Sequence, residues 1–329
     1  MLAFFGILIF ILAQKGFAVL KQVDVKPKDL LSFFGQTTDT LSSQNGVTNF
    51  LFLGIRGEGV DSPNLTDSLI FVSYDKNNNK ISEIGIPRDL WIPSLQDRIN
   101  TAYHYGEEAS PGAGIKLAET SVLEVLGQPV NYTIIVNFNL FQQVVDLLGG
   151  VDIYISPGFT DNEYPIPGKE NALPIASRYQ TITFSEGQNR LNGDLALKYV
   201  RSRHSVGQEG TDFARSRRQQ QIISALKDKL FSKDFLLNTQ KIEQLFQLTE
   251  NNLTTNLSPN LYPIIARIGV DQIGKTINYI GLSMTPDKNG VSILTNPPAE
   301  KYGGRWVLIP KDNNWKALKQ YIQNQLEFN

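Results

Sequence analysis

Apolar and polar positions along this chain fall into short periodic stretches. Residues 47–55, VTNFLFLGI, are a nearly continuous apolar run that suits a buried strand. TDSLIFVSYD (66–75) is a second strand, KNNNK (76–80) a strong turn, and KISEIGIP (80–87) the returning arm of a hairpin. Helical spacing follows in GIKLAETSVLEVLGQ (114–128), where Ile115, Ala118, Val122 and Val125 recur at helical intervals and Gly127 stands as a stop. YTIIVNF (132–138), NLFQQVVDLLGG (139–150) and VDIYIS (151–156) read strand, helix, strand, a βαβ unit that predicts a sheet covered by helices. Residues 157–180 are rich in Pro, Gly and Asn and read as a long surface loop. Further on, FLLNTQKIEQLFQLTE (235–250) and NWKALKQYIQNQL (314–326) are helical, with short strand-like runs such as KTINYIGLSM between them. With no repeat and no clear internal linker, the pattern predicts one α/β domain over residues 47–329.

The N-terminus follows a different pattern. MLAFFGILIFILA is an unbroken apolar run of 13 residues, followed by Gln14, Lys15 and GFAVL. A spanning helix needs about 20 apolar residues, so the run reaches that length only through Leu20. It carries neither the basic start nor the small-residue cleavage site of a secretory leader. Residues 1–20 are therefore read as a transmembrane signal anchor, with a cleaved signal or a buried helix as alternatives. Residues 21–46, polar and rich in Ser, Thr and Gln, are read as a stalk or linker. This arrangement places the domain outside the cytoplasm at a cell membrane, held by a single pass.

Composition narrows the chemistry. A chain of 329 residues with 41% hydrophobic and 19% charged residues is ordinary for a globular fold. The formal net charge of −1 argues against a general nucleic-acid coat. With no cysteine, disulfides, cysteine–zinc sites and thiol nucleophiles are excluded, and two histidines, His104 and His204, do not make a multi-histidine metal site.

Against that neutral background, YVRSRHSVGQEGTDFARSRRQQQ (199–221) concentrates Arg201, Arg203, Arg215, Arg217 and Arg218. From Asp212 the spacing predicts a helix whose apolar stripe holds Ile222, Ile223, Leu226 and Leu230. Arg215, Arg218 and Gln219 continue that inward face at the helix start, while Arg217 falls on a polar face and points to water. Inward guanidinium groups require an anionic partner, because an unpaired buried charge is costly. If YVRSRH is extended, Tyr199, Arg201 and Arg203 share one side, a double fork suited to phosphate oxygens and close to a helix N-terminus. The competing reading pairs these arginines with local carboxylates such as Glu209 and Asp212.

A second group of motifs carries a family resemblance. NFLFLGIRGEGVDSPNLTDSLIFVSYDKNNNKISEIGIPRDLWIP and RINTAYHYGEE resemble the catalytic core of the LytR–CpsA–Psr family. VNFNLFQQVVDLLGGVDIYI, FSEGQNRLNGDLALKYVRSRH, TDFARSRRQQQ and NNLTTNLS follow in the expected order, so the resemblance covers roughly residues 47–258.

The resemblance implies a central mixed sheet with helices on both faces and a hydrophobic pocket for a lipid tail. It also implies a membrane-anchored, extracytoplasmic phosphotransferase that moves a glycopolymer from a polyprenyl-pyrophosphate carrier to peptidoglycan, with Mg2+ or Mn2+. Asp67 matches the metal-binding aspartate, Arg88 a phosphate-contacting arginine, and Arg201 and Arg203 the pair that clamps the pyrophosphate. Arg215 and Gln219 match polar residues at the helix start, with Arg218 a further candidate. Where many members carry an aspartate after the first strand, this chain has Arg56, leaving Glu58 or Asp61 to supply a second metal carboxylate. Arginine is a poor proton acceptor, so any general base should be a carboxylate, Asp89 or Asp67. The competing functional classes are a non-catalytic module binding lipid-linked or anionic wall glycans and a membrane-bound transcriptional regulator.

Overall fold

The computed structural model describes residues 40–57, 62–166, 168–169, 172–230, 232–258, 261, 264–265, 268, 272, 277–284 and 292–326. The anchor expected over 1–20 and most of the expected stalk lie outside the described residues. Among the described residues, no helix is long and apolar enough to cross a membrane. The packed chain begins before residue 47. Leu41 is 3% exposed in the core, and Ser42 donates its amide to the Tyr132 hydroxyl at 2.9 Å.

Three strands follow in sequence: β1 (Val47–Ile55), β2 (Thr66–Asp75) and β3 (Lys80–Ile86). They form an antiparallel meander with Phe50 opposite Val72 and Phe71 opposite Ile84. Strand β4 (Tyr132–Asn137) lies parallel to β1. Adding the later β9 (Leu253–Thr255) and β10 (Asn278–Gly281) gives a mixed six-stranded sheet, in the order β9-β4-β1-β2-β3-β10.

Strand alternation divides the core. Phe50, Phe52, Ile70, Val72 and Ile134 face one side, while Leu51, Leu53, Leu69, Phe71 and Ile135 face the other. The second face is covered by α1 (Ala102–Ala109), α2 (Ala113–Leu126) and α7 (Trp315–Leu326), through Tyr103, Val122, Val125, Leu318 and Ile322. The first is covered by α3 (Phe138–Leu147), α4 (Gly193–Arg201), α5 (Asp212–Leu230) and α6 (Thr239–Asn252). Their inward residues include Val144, Ala196, Ile222, Leu226 and Leu245. The expected sheet with helices on both faces is thus observed, and Gly127 ends α2 in the left-handed conformation at φ 71°.

Three expectations are corrected. The predicted βαβ unit does not close: β5 (Val151–Ile155) leaves the central sheet and pairs antiparallel with β8 (Gly187–Leu191). Its alternation, with Val151, Ile153 and Ile155 buried, sets its faces but not which sheet it joins. The expected loop at 157–180 contains much of an antiparallel ribbon, β6 (Phe159–Pro165) against β7 (Tyr179–Phe184). The third correction concerns YVRSRH: Tyr199, Val200 and Arg201 are the last three residues of α4, not an extended segment.

Candidate functional site

The site begins where the central strands of the sheet meet its surrounding loops, at one end of the strands. Strands β1, β3 and β4 end there and β2 starts there, because β2 runs against β1 and β3 while β4 runs with β1. Asp67 is the second residue of β2, Arg56 follows the end of β1, and Arg88 lies two residues past β3. The turn after β1 requires Gly57, whose φ of +87° is left-handed and whose amide donates to the Pro63 carbonyl at 3.0 Å. From the first helical layer, α4 delivers Arg201 at its C-terminal residue, where a cation also complements the helix dipole.

Asp67 gathers these groups. Its side chain is 8% exposed, and it meets Arg88 at 2.9 Å, Arg56 at 3.4 Å and Arg201 at 3.4 Å. Arg88 turns its Nε towards Asp89 at 3.4 Å, and Arg98 reaches the other Asp89 oxygen at 3.1 Å. Four guanidinium groups (Arg56, Arg88, Arg98, Arg201) therefore share two carboxylates. The Arg201 guanidinium also rests 4.6 Å from the centre of the Phe138 ring and 5.9 Å from that of Tyr164. Burial raises the Tyr164 phenol above its ordinary pKa, although Arg201 opposes this.

Arg203 lies just outside the helix, with much of its residue surface open but its guanidinium partly desolvated. That desolvation lowers its pKa, and the like charges of Arg88 and Arg215 lower it further against Asp89 and Asp67. Arg203 Nε donates to His204 Nε2 at 3.2 Å. The structure therefore brings Asp67, Arg88, Asp89, Arg201, Arg203 and Arg215 into one electrostatic neighbourhood, with Arg56 and Arg98 added. Gln219 lies on α5, but its side chain is outside the described set, as are Glu58 and Asp61 altogether. Among the described residues there is no group of three or more His, Cys, Asp or Glu able to hold a metal ion.

Arg218 is displaced from the predicted set. It is 0% exposed and donates to the carbonyls of Tyr199 (3.1 Å), Ser202 (2.5 Å) and Glu209 (3.0 Å), and to the Glu209 carboxylate at 3.0 Å. Its guanidinium stacks 4.6 Å from the centre of the Phe159 ring. Desolvation lowers its pKa while Glu209 holds it up. The helical face was read correctly as inward. The buried anion is Glu209, however, and the remaining acceptors are backbone carbonyls, so Arg218 anchors the chain around the site. Arg217, expected to point to water, is 40% exposed at its side chain and pairs with Glu209.

Asp161 had no sequence signal beyond being an acidic residue in a presumed loop. It is 0% exposed on β6. One carboxylate oxygen accepts from Ser202 Oγ at 2.5 Å, the Arg203 amide at 3.0 Å and the His204 amide at 3.2 Å. The other accepts from the Glu163 amide at 3.0 Å. Desolvation alone would raise its pKa, but the bonds from Ser202, His204, Glu163 and Arg203 hold it below the ordinary aspartate value. Asp161 and Arg218 grip the 199–204 segment through its donors and its carbonyls respectively.

The strand ends of this α/β domain thus assemble four arginines around two partly shielded carboxylates. The family model described as the LytR_cpsA_psr family matches residues 12–321, and this chain belongs to that family. It is 29% identical over 196 residues to the polyisoprenyl-teichoic acid–peptidoglycan teichoic acid transferase TagU of Bacillus licheniformis, covering 58% of this chain and 54% of that protein. It is 26% identical over 281 residues to the transferase of the same description, TagV, of Bacillus subtilis, covering 85% of this chain and 65% of that protein. The chain thus spans between about half and two thirds of the length of these curated relatives. Its fold is similar to the crystal structure of B. subtilis TagV, with TM-score 0.54, 23% identity, and coverage of 87% of this chain and 100% of that one. It is similar also to TagT bound to LIIa-WTA, with TM-score 0.52, 22% identity, and coverage of 89% and 97%.

Proposed function

We propose that this chain is an extracytoplasmic phosphotransferase that moves a glycopolymer from a polyprenyl-pyrophosphate carrier to peptidoglycan. The family membership supports the reading, as do relatives named as teichoic acid–peptidoglycan transferases. The observation that carries it is the sharing of Asp67 by Arg56, Arg88 and Arg201, with Arg98 joined through Asp89. Such a cluster has more positive charge than its own carboxylates neutralise, which suits a polyanion with several phosphate oxygens.

In this reading Arg88, Arg201 and Arg203 hold the pyrophosphate oxygens and orient the glycan-bearing phosphorus. Arg215 and Gln219 border the same site. An acceptor-sugar hydroxyl attacks that phosphorus, the P–O–P bond breaks, polyprenyl monophosphate leaves, and a phosphodiester joins glycan to acceptor. The hydroxyl proton passes to Asp89, whose side chain is 16% exposed against 8% for Asp67 and is thus the more accessible carboxylate. The arginines stabilise charge on the transferring group, the main requirement of phosphoryl transfer.

A hard divalent cation, Mg2+ or Mn2+, would be held by Asp67, whose carboxylate is the anionic oxygen donor such a cation prefers, in exchange for part of its pairing with Arg56, Arg88 and Arg201. Glu58 or Asp61 would supply a second carboxylate. When bound, the cation supplies charge neutralisation on the phosphate oxygens. The lipid tail would have to enter between the first face of the sheet and the helices that cover it, and the N-terminal run would hold the chain at the membrane.

The test uses the full chain in detergent with a short polyprenyl-pyrophosphate glycan, peptidoglycan fragments and Mg2+. Expected are release of polyprenyl monophosphate and at least a hundredfold loss of turnover in Arg201→Ala and Asp67→Asn. Absence of any cleavage by the wild-type chain, with tight binding of the same donor, would replace the enzyme with the non-catalytic glycan-binding module.

A further inference from the structure

Beside the arginine cluster runs an aromatic strip to which the proposed transfer chemistry gives no role. Trp91 is paired in register with Arg98 across a two-residue antiparallel ladder, so their side chains lie next to each other. Arg98 reaches Asp89 at 3.1 Å, Asp89 meets Arg88 at 3.4 Å, and Arg88 meets Asp67 at 2.9 Å. At the other end, the Trp91 ring meets Tyr302 edge-on, with centroids 4.8 Å apart and planes at 82°. A continuous line of side chains therefore leads from the aromatic pair to Asp67.

The aromatic end is anchored from the C-terminal part of the chain. Leu308 donates its amide to the Asp89 carbonyl at 2.9 Å, and the Trp91 amide donates to the Leu308 carbonyl at 2.9 Å. The segment carrying Tyr302, Arg305 and Trp306 is thus tied directly to the residues flanking the site. Arg305 is held by Asp97 at 3.5 Å. Trp306 is 49% exposed, a large apolar surface to leave in water. Trp91 and Tyr302 are each half-buried, and their edge-on contact does not cover ring face with ring face.

We propose that Trp91, Tyr302 and Trp306, with Arg98, form a subsite for a pyranose ring adjoining the phosphate-binding arginines. The C–H face of a sugar packs on an aromatic ring by dispersion, while its hydroxyls take hydrogen bonds from a guanidinium. Arg98 keeps 34% of its side chain exposed while its Nη1 meets Asp89, and a guanidinium carries five N–H donors, more than that contact uses. Trp91 is two residues from Asp89, so their Cα atoms are no more than about 7 Å apart. Arg98, paired with Trp91, reaches Asp89 at 3.1 Å, so a sugar resting on Trp91 would neighbour the proposed reacting groups. Such a ring belongs either to the first sugar of the donor or to the acceptor sugar, which share this chemistry.

The inference rests on the proposed transfer reaction for its orientation, but its test separates the two. The probes are a β-1,4-linked N-acetylglucosamine tetramer, which carries no phosphate, and geranylgeranyl pyrophosphate, which carries no sugar. The expected result is measurable tetramer binding to the full chain, weakened at least fivefold in both Tyr302→Ala and Trp306→Ala. Affinity for geranylgeranyl pyrophosphate should stay within twofold of wild type. Both substitutions lie at half-buried or exposed positions, and circular dichroism with thermal melting confirms that the variants fold. In the turnover assay, a rise in KM for peptidoglycan alone assigns the ring to the acceptor, and a rise for the glycan-bearing donor alone assigns it to the donor. No tetramer binding by wild type, or unchanged tetramer affinity in both folded variants, overturns the subsite. Failure of wild type to bind geranylgeranyl pyrophosphate overturns instead the reading of the arginine cluster.

Discussion

Replacing Asp161 by alanine tests whether Arg201 and Arg203 depend on a residue outside the proposed phosphate-binding set. The carboxylate is 0% exposed and accepts from Ser202 Oγ, Arg203 N, His204 N and Glu163 N, at 2.5, 3.0, 3.2 and 3.0 Å. Hydrogen bonds to a charged group are worth about 1.5–3 kcal/mol each. They are not additive, and the exposed Arg203 and His204 residues allow water to compensate part of the loss. The expected destabilisation is about 3 kcal/mol, read from urea unfolding at pH 7. Inorganic pyrophosphate binding by calorimetry should weaken at least tenfold, because Arg203 and the end of α4 lose their register. Asp161→Asn keeps one acceptor oxygen for the 202–204 segment but turns an NH2 onto the Glu163 amide, so it should recover part of the lost pyrophosphate binding and less of the stability. The sign of the pH dependence follows from the depressed pKa: the stabilisation is present above the unfolded aspartate value and is lost as pH falls through the lower folded value. The decline on acidification should therefore be shallower in Asp161→Ala than in wild type. If Asp161→Ala unfolds within 1 kcal/mol of wild type and binds pyrophosphate equally well, the grip does not position the arginines.

Other substitutions separate anchoring from binding. Arg218→Met should destabilise by about 3–5 kcal/mol in urea unfolding, because Glu209 and three carbonyls lose a buried partner. Arg217→Ala, at a side chain 40% exposed, should cost no more than about 1 kcal/mol in the same measurement. Gly193→Ala should be destabilising by about 1–3 kcal/mol, since a Cβ there would come within 2.3 Å of the Gln142 carbonyl and force α4 away from α3. Asp67→Asn should retain or tighten pyrophosphate binding without metal, because it removes the carboxylate competing for Arg56, Arg88 and Arg201, while abolishing any effect of Mg2+ on that binding.

The local pattern marked individual strands and helices. The apolar run at 47–55 and the turn at 76–80 marked a strand and a hairpin; the period of two then sends Phe50 and Leu51 to opposite faces, while the pairing of β1 with β2 is seen only in the fold. Helical spacing and the left-handed Gly127 likewise specified α2. The arginines were legible because guanidinium groups on an inward face demand an anion. Sequence could not choose which anion. Arg215 and Arg218 are three residues apart on α5, yet the folded chain places Arg215 within the field of Arg203 and closes Arg218 on Glu209 and backbone carbonyls.

The partner of each strand and of each charge was decided only by tertiary structure. Val151, Ile153 and Ile155 present the same alternation whether β5 pairs with β4 or, as it does, with β8. Asp161 became a buried acceptor only when the ribbon of β6 and β7 came against the end of α4. The aromatic strip likewise joins Trp91 to Tyr302 across more than 200 residues. Backbone periodicity depends on near neighbours along the chain, so it can be read in one dimension. Desolvation and charge pairing depend on whatever surface folding brings into contact, and that is settled only in three dimensions.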